Sequence, residues 1–343
     1  MDKDSHNLLL IVNPKAGTVN RHLAPENLLA EAGNLSHLSE SGVRNPFRVE
    51  LAVTEYAGHA TKLAAEAAAE GYYGVVACGG DGTVNETARG VINTSTAMGI
   101  IPLGSGNGLA RHLGIPMTLN GAFDTIKENH IICADYASAG DRPFFCTFGV
   151  GFDAEVTDKF NARPGRGLKN YLRTVLEEYF SYKTDTYTII ANGKRITEQA
   201  LIVAVCNASQ YGNNAYIAPH ASIKDGLLDI TVVHNGSLIE NAISAVDLLS
   251  GMIGKSAFST TFRASDIRII RNHAGPAHFD GEPAKLDKII DVHCHPGALR
   301  LFATSRKNRL RPIMSPEIPF LSPLALTIRD LRHKLYNKVL GSR

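Results

Sequence analysis

Long apolar runs are absent from this 343-residue chain. No stretch approaches the roughly 18 to 20 consecutive apolar residues that span a bilayer as a helix. Cysteine is scarce. Cys78, Cys133, Cys146, Cys206 and Cys294 are odd in number and scattered through mostly apolar segments, the pattern of reduced core residues and not of a disulfide framework. The start, MDKDSHNLLLIVNP, mixes acids with one lysine and enters a short apolar run at once, so it lacks the basic stretch and cleavage site of a signal peptide. Internal repeats and low-complexity tracts are also missing. These absences predict a cytoplasmic protein, and no nucleic-acid partner is expected.

What is present is a chain of 44% apolar and 20% charged residues, enough for a sizeable core. At about 100 to 200 residues per domain, its length suits two domains. The net charge is only +2, but it is uneven. From Arg300 to Arg343 ten Lys or Arg face two acids, Glu317 and Asp330, a balance of +8 that leaves about −6 for the first 299 residues. His293-Cys294-His295 superficially suggests a metal site. Residues alternating along a strand point to opposite faces, however, and no second ligand cluster accompanies them.

The first third alternates apolar runs with helix-like segments. LLLIV (8–12), VELAVT (49–54), GVVAC (74–78) and MGIIP (98–102) read as buried strands. Helices are predicted after Pro25, over the alanine-rich 57–70, and from near Thr83. The segment 33–45 reads as a surface loop. Strand–helix alternation predicts a parallel sheet covered by helices. From about residue 135 the pattern changes to strands such as FFCTFGVGF, DTYTIIANGKRI, QALIVAVCNA, LLDITVVH, TTFRASDIRIIR and KIIDVHC, with Asn-Gly and Asp-Gly turns between them. Two helix-like interruptions fall at 169–182 and 239–253. The expected organisation is an α/β domain over 1–134, a β-rich antiparallel sandwich over 135–303 and a basic extension over 304–343.

Each of three strands in the first domain ends in an unusual loop: Asn13-Pro14-Lys15-Ala16-Gly17, Gly79-Gly80-Asp81-Gly82-Thr83, and Pro102-Leu103-Gly104-Ser105-Gly106-Asn107-Gly108. In an open parallel sheet such loops share the carboxyl edge, where ligands bind. Glycines there let backbone N–H groups face an anion beside a helix N-terminus. Any one loop is as well explained by an ordinary turn; three together favour a phosphate site. Asp81 is the anomaly among amides that would face phosphate. It is accounted for by holding Mg²⁺, by removing a proton from an attacking hydroxyl, or by capping the helix from Thr83. The first two belong to phosphoryl transfer.

GGDGTVNE (79–86), PLGSGNGLARHLGIP (102–116) and NPKAG (13–17) together resemble the catalytic domain of the diacylglycerol kinase and sphingosine kinase family. GVGFDAEV (149–156), IAPHASIKDGLLDI (217–230) and FDGEP (279–283) extend the resemblance to residues 7–303. It implies a phosphofructokinase/NAD kinase-like first domain, ATP and Mg²⁺ as cofactors, nucleotide in a cleft between the two domains, and a membrane lipid as phosphate acceptor. Under it Asn13 and Thr54 line the nucleotide site. Gly79, Gly80, Gly82 and Thr83 hold phosphates with Ser105 and Asn107 beside them, and Glu86 faces the nucleotide. Asp81 and Asp280 compete as general base, and Glu282 lies near Mg²⁺ or the ribose. Asp225 corresponds to a structural Mg²⁺ loop, with a plain turn as the alternative. Arg163 and Lys169 are candidates for phosphate contact, although their spacing departs from the family's. Asp153 and Asp158 are candidate lipid head-group contacts.

The extension lies outside the resemblance. Leu324, Ile328, Leu331 and Leu335 follow helical spacing beside Arg329, Arg332, Lys334 and Lys338. Such a helix suits an anionic membrane surface, the first domain, or a second copy of the chain in a homodimer. Two rival readings stay open: a soluble-substrate kinase of the NAD kinase or phosphofructokinase type, and a catalytically silent lipid-binding member. The GSGNG loop, in place of GTxND, leans toward sphingoid long-chain bases over diacylglycerol.

Overall fold

The computed structural model describes residues 6–16, 28, 30, 47–162 and 168–305. Gly17, Arg163, the loop expected at 33–45 and the tail from 306 lie outside the described residues. So does the helix expected after Pro25, apart from Leu28 and Ala30. The described chain divides into two units, residues 6–136 with 295–305 and residues 137–294.

The first unit contains β1 (His6–Val12), β2 (Phe47–Val53), α1 (His59–Ala69), β3 (Gly74–Gly79), α2 (Asp81–Val91), β4 (Ala97–Pro102), α3 (Gly108–His112), α4 (Leu119–Lys127) and the start of β5 (Ile131–Ala139). Its strands run β4-β3-β1-β2, all parallel. Every residue of β3 and β4 is buried, as the near-continuous apolar runs of a covered parallel sheet require. Gly90 of α2 lies against α1: a Cβ there would come within 2.6 Å of the Ala64 Cβ and the Thr61 carbonyl oxygen.

The second unit contains the end of β5, β6 (Arg142–Phe144), β7 (Thr147–Gly151), α5 (Phe152–Ala162), α6 (Leu168–Tyr179), β8 (Asp185–Ala191), β9 (Lys194–Cys206), β10 (Leu228–His234), α7 (Leu238–Leu249), β11 (Ser259–Ala264), β12 (Asp266–Ile270), β13 (Gly275–Phe279), β14 (Glu282–Leu286) and the start of β15 (Ile289–Phe302). Its named strand pairs are antiparallel. The long β9 pairs first with β8 and then with β7, while β10 lies along its other edge. Asn192 and Gly193 close the β8–β9 hairpin with φ of 51° and 71°, the two positive angles of a type I′ turn. Phe144, Phe148 and Phe279 meet in the core with ring centroids 5.1 to 6.4 Å apart.

Residues 295–303 group by contact with the first unit, where Leu301 of β15 pairs with Met98 of β4 and the Asn93 N–H donates to the Ala298 carbonyl. One sequence expectation changes. The run FFCTFGVGF does not continue as strand to its end. Gly151 has φ of +113° with the Leu201 carbonyl 2.5 Å from where a Cβ would lie, and α5 starts at the next residue. The acids Asp153 and Glu155 in its first turn suit a helix N-terminus. Among the described residues no helix is long and apolar enough to cross a membrane.

Replacing a mid-helix glycine by alanine ordinarily stabilises by about 1 kcal/mol. At Gly90 the contact with α1 reverses the sign, and Gly90→Ala is expected to cost about 1–3 kcal/mol net. Thermal melts check this, and a raised midpoint would show that the helices are not packed as described.

Candidate functional site

Three loops at the carboxyl ends of β1, β3 and β4 are tied to one another. The Asn13 N–H donates to the Cys78 carbonyl at 3.0 Å, and Asn13 Nδ2 donates to Thr83 Oγ1 at 3.0 Å. The first loop is thereby fixed to the start of α2. Thr54 takes its place beside them through a 2.9 Å bond from its N–H to the Val12 carbonyl. The third and fourth strand loops approach backbone to backbone. A Cβ on Gly104 would lie 2.6 Å from the Gly80 Cα. The glycines expected to let an anion approach thus let the two loops approach each other. Gly79 has a similar task, since a Cβ there would run into Thr83.

Asp81 closes this frame. Its two carboxylate oxygens accept from the Asn107 N–H at 2.9 Å and the Gly108 N–H at 2.7 Å. The carboxylate therefore caps the start of α3 and not, through its side chain, its own helix. Asn107 adopts φ of 53° and closes its loop on itself, accepting from the Gly104 N–H and donating to the Gly104 carbonyl. Burial pushes the Asp81 carboxyl above the usual carboxylate range, and the amides of Gly108 and Asn107 pull it part of the way back. Burial also lowers nearby His112 to about 4, so it is neutral at pH 7. No side chain caps the N-terminus of α2. Gly82 and Ser105 are exposed and Gly80 is half-buried, leaving backbone donors at this edge.

In the second unit Asp280 and Gly281 form the β13–β14 turn, with φ of 51° and 82°. The hairpin reading of FDGEP is thus realised, but the Asp280 side chain does more than turn. Its carboxylate accepts from the N–H groups of Phe145, Cys146 and Thr147 at 2.8, 2.8 and 2.9 Å, while its own N–H donates to the Thr147 carbonyl. Asn207 holds the same segment from its other side, through Nδ2 to the Phe145 carbonyl and its N–H to the Cys146 carbonyl. Glu282 forms an ion pair with Arg142, whose guanidinium lies 4.5 Å over the Phe279 ring.

The remaining sequence candidates are placed as follows. Glu86 accepts from the Ala60 N–H at 3.2 Å, and its carbonyl accepts from Thr61 Oγ1, so its carboxylate serves the start of α1. Asp153 is 7% exposed, and its oxygens accept from the Ala154 N–H, from Tyr211 Oη and from His278 Nε2. These partners all lie within its own unit. Asp158 is half-buried on α5. Asp225 accepts from the Leu227 N–H and pairs with Arg263. The bond to Leu227 is that of an Asx-type turn. Lys169 lies in α6, but its side chain is outside the described residues, as is Arg163. Arg142, Asn207, Tyr211 and His278 were not singled out from sequence. Gly149, inside a β-strand, was the one available sign that something presses close there.

Asn at position 81 would supply one acceptor where the carboxylate serves two amides. Asp81→Asn is therefore expected to cost about 1–3 kcal/mol. The folded state binds the Asp81 proton more tightly than the unfolded chain. Its contribution is complete below the ordinary carboxylate value and fades as pH rises through the raised one. Melts from pH 7 down to 4 should show the wild-type advantage over Asp81→Asn widening on acidification; a narrowing gap would contradict the assigned direction.

A model of the diacylglycerol kinase catalytic domain matches residues 7–139, and one of the YegS C-terminal NAD kinase beta sandwich-like domain matches residues 146–303. A Chromohalobacter salexigens protein named probable lipid kinase YegS-like is 30% identical over 258 residues, covering 73% of this chain and 82% of that protein. A Yersinia enterocolitica protein of the same name is 28% identical over 287 residues, covering 81% and 90%. A solved Bacillus anthracis structure titled as a diacylglycerol kinase superposes with a TM-score of 0.65 at 22% identity, over 88% of this chain and 97% of that one. This last likeness speaks to the fold. With both domain types in order and a relative matched over most of its length, the chain belongs to the YegS-like family of lipid kinases, built on a diacylglycerol kinase catalytic domain.

Proposed function

We propose that this kinase transfers the γ-phosphate of ATP to the hydroxyl of a membrane lipid. The observation that carries the reading is the frame of three strand-end loops, laced by Asn13–Thr83 and by Asp81 to Asn107 and Gly108. Phosphoryl transfer is catalysed chiefly by positioning and charge neutralisation, and a frame held by these bonds suits it. The uncapped start of α2 offers backbone N–H groups and a partial positive charge to phosphate oxygens.

Asp81 is the group we assign to the lipid hydroxyl. A carboxylate with raised proton affinity is the better proton acceptor, and its two oxygens keep acceptor capacity beyond the two amides of α3. Asp280, whose oxygens serve three amides, is assigned to shaping the turn that presents Glu282. Mg²⁺ in such enzymes needs one or two carboxylates beside the phosphates and no all-protein cage. Glu282 suits that role chemically, provided that its pairing with Arg142 is exchanged or shared. The ion would neutralise charge on the transferred phosphoryl group.

The acceptor is a lipid with a free hydroxyl, a sphingoid base or diacylglycerol. The GSGNG loop had favoured the former, but Asn107 is accounted for by closing its own loop on Gly104, so the lean loses its ground. Access to such a lipid implies contact with a membrane surface.

Radiolabelled transfer from ATP to sphingosine, dihydrosphingosine, ceramide, diacylglycerol and phosphatidylglycerol, with NAD as a soluble control, tests the reading. One or more lipids should be labelled. Asp81→Asn should lose about 10²-fold or more in kcat, measured well below its melting temperature. Label on NAD alone, or full activity in Asp81→Asn, would overturn it.

A further inference from the structure

We infer that buried Asp153 and His278, with half-buried Tyr211, form a positioning network that holds the Asp280–Gly281 turn in register from behind, through α5. The activity arm of its test rests on the lipid kinase reading; its structural arm does not.

His278 lies on β13, two residues before Asp280, and is 2% exposed. Its Nε2 is 3.0 Å from Asp153 Oδ2, and Tyr211 Oη donates to that same oxygen at 2.8 Å. A carboxylate oxygen accepts, which makes Nε2 the donor of the pair. Asp153 Oδ1 accepts from the Ala154 N–H at 2.8 Å in the first turn of α5, where the helix end favours a negative charge. Nδ1 of His278 is buried and has no hydrogen-bond partner. The imidazole is therefore anchored through one nitrogen only, and that nitrogen points at α5.

The pair is wedged in place. Gly149 of β7 stands opposite His278, and a Cβ there would lie 2.3 Å from His278 Nε2 and 2.4 Å from Asp153 Oδ2. The far end of the helix is tied to the same hairpin, since Asn161 Nδ2 donates to the Gly281 carbonyl at 3.4 Å. Helix α5 packs on both β13 and β14. It thus bridges the strand that leads into the turn and the turn itself. The pairing of β13 with β7 is short, His278 with Gly149 and Phe279 with Phe148, so the ladder alone leaves the hairpin tip weakly fixed.

Burying a carboxylate and an imidazole brings little stability, since apolar residues of the same volume pack as well at lower desolvation cost. What such a pair supplies is direction. Each bond has one permitted geometry, and a satisfied polar network rigidifies its surroundings. Here the surroundings include the three amides that Asp280 holds. The three residues touch no reacting atom in this account, so they are positioning residues.

The test uses the full chain with His278→Gln, which keeps a donor near the Nε2 position, His278→Leu, which keeps volume only, and Asp153→Asn. Hydrogen exchange at the amides of residues 145–147 is the first readout and needs no substrate. It should quicken in His278→Leu and Asp153→Asn and return toward wild type in His278→Gln. With a labelled lipid, His278→Leu should lower kcat about tenfold while KM for ATP moves less than about twofold. In an Asp280→Asn background the same change should add less than about twofold, because both act through one turn. Should the leucine variant fail to fold, the asparagine and glutamine variants carry the comparison. Unchanged exchange at 145–147 in the folded variants overturns the proposal whatever the activity shows. So does a kcat that falls only with the folded fraction, or equal losses in His278→Gln and His278→Leu.

Discussion

The Asp81 carboxylate, taking the N–H groups of Asn107 and Gly108 on separate oxygens, is the bond on which the first unit's loops depend. Glycine-rich loops lose more conformational entropy on folding than any others, and nothing in GGDG or GSGNG alone would hold them in one shape. A charged acceptor on two backbone donors gives a strong, directed link between them. The backbone contact of Gly80 with Gly104 then requires glycine at 104, where a Cβ would lie 2.6 Å from the Gly80 Cα, and leaves little room at Gly80. The same group that organises the loops has its proton affinity raised by the burial this requires.

The second unit uses the same device in a different setting. Asp280 sits in a type I′ turn and reaches back to the amides of residues 145–147. The carbonyls of that segment are taken by Asn207, Ala208 and Asp280 itself. A loop with its donors and acceptors satisfied in this way avoids the cost of unpaired buried backbone. Glu282, two residues on, pairs with Arg142.

Much of the fold was legible. The four parallel strands of the first unit and the hairpin at Asn192-Gly193 follow from apolar runs and turn chemistry, both of which are local. The diagnostic loops were legible as motifs. Their residue roles were not, because GGDG reads equally as anion cradle, metal site or helix cap. Glu86, Asp153 and Asp225 show the limit most clearly. Each is an acid in a recognisable motif, and each is engaged by a partner distant in sequence: the Ala60 amide, His278 with Tyr211, and Arg263.

By itself the sequence determined the family, the order of its two domains, and the acids and glycines that mark its loops, since these depend on residue type and spacing along the chain. Only the tertiary structure decided which carboxylates are occupied. It also decided that the glycines let loops touch each other, that residues 295–303 return to the first unit, and that a histidine outside any motif lies behind the Asp280 turn. Those facts depend on contacts between residues well separated in the chain, 26 positions apart for Asp81 with Asn107 and 125 for Asp153 with His278, and such pairings leave no periodic trace in the sequence.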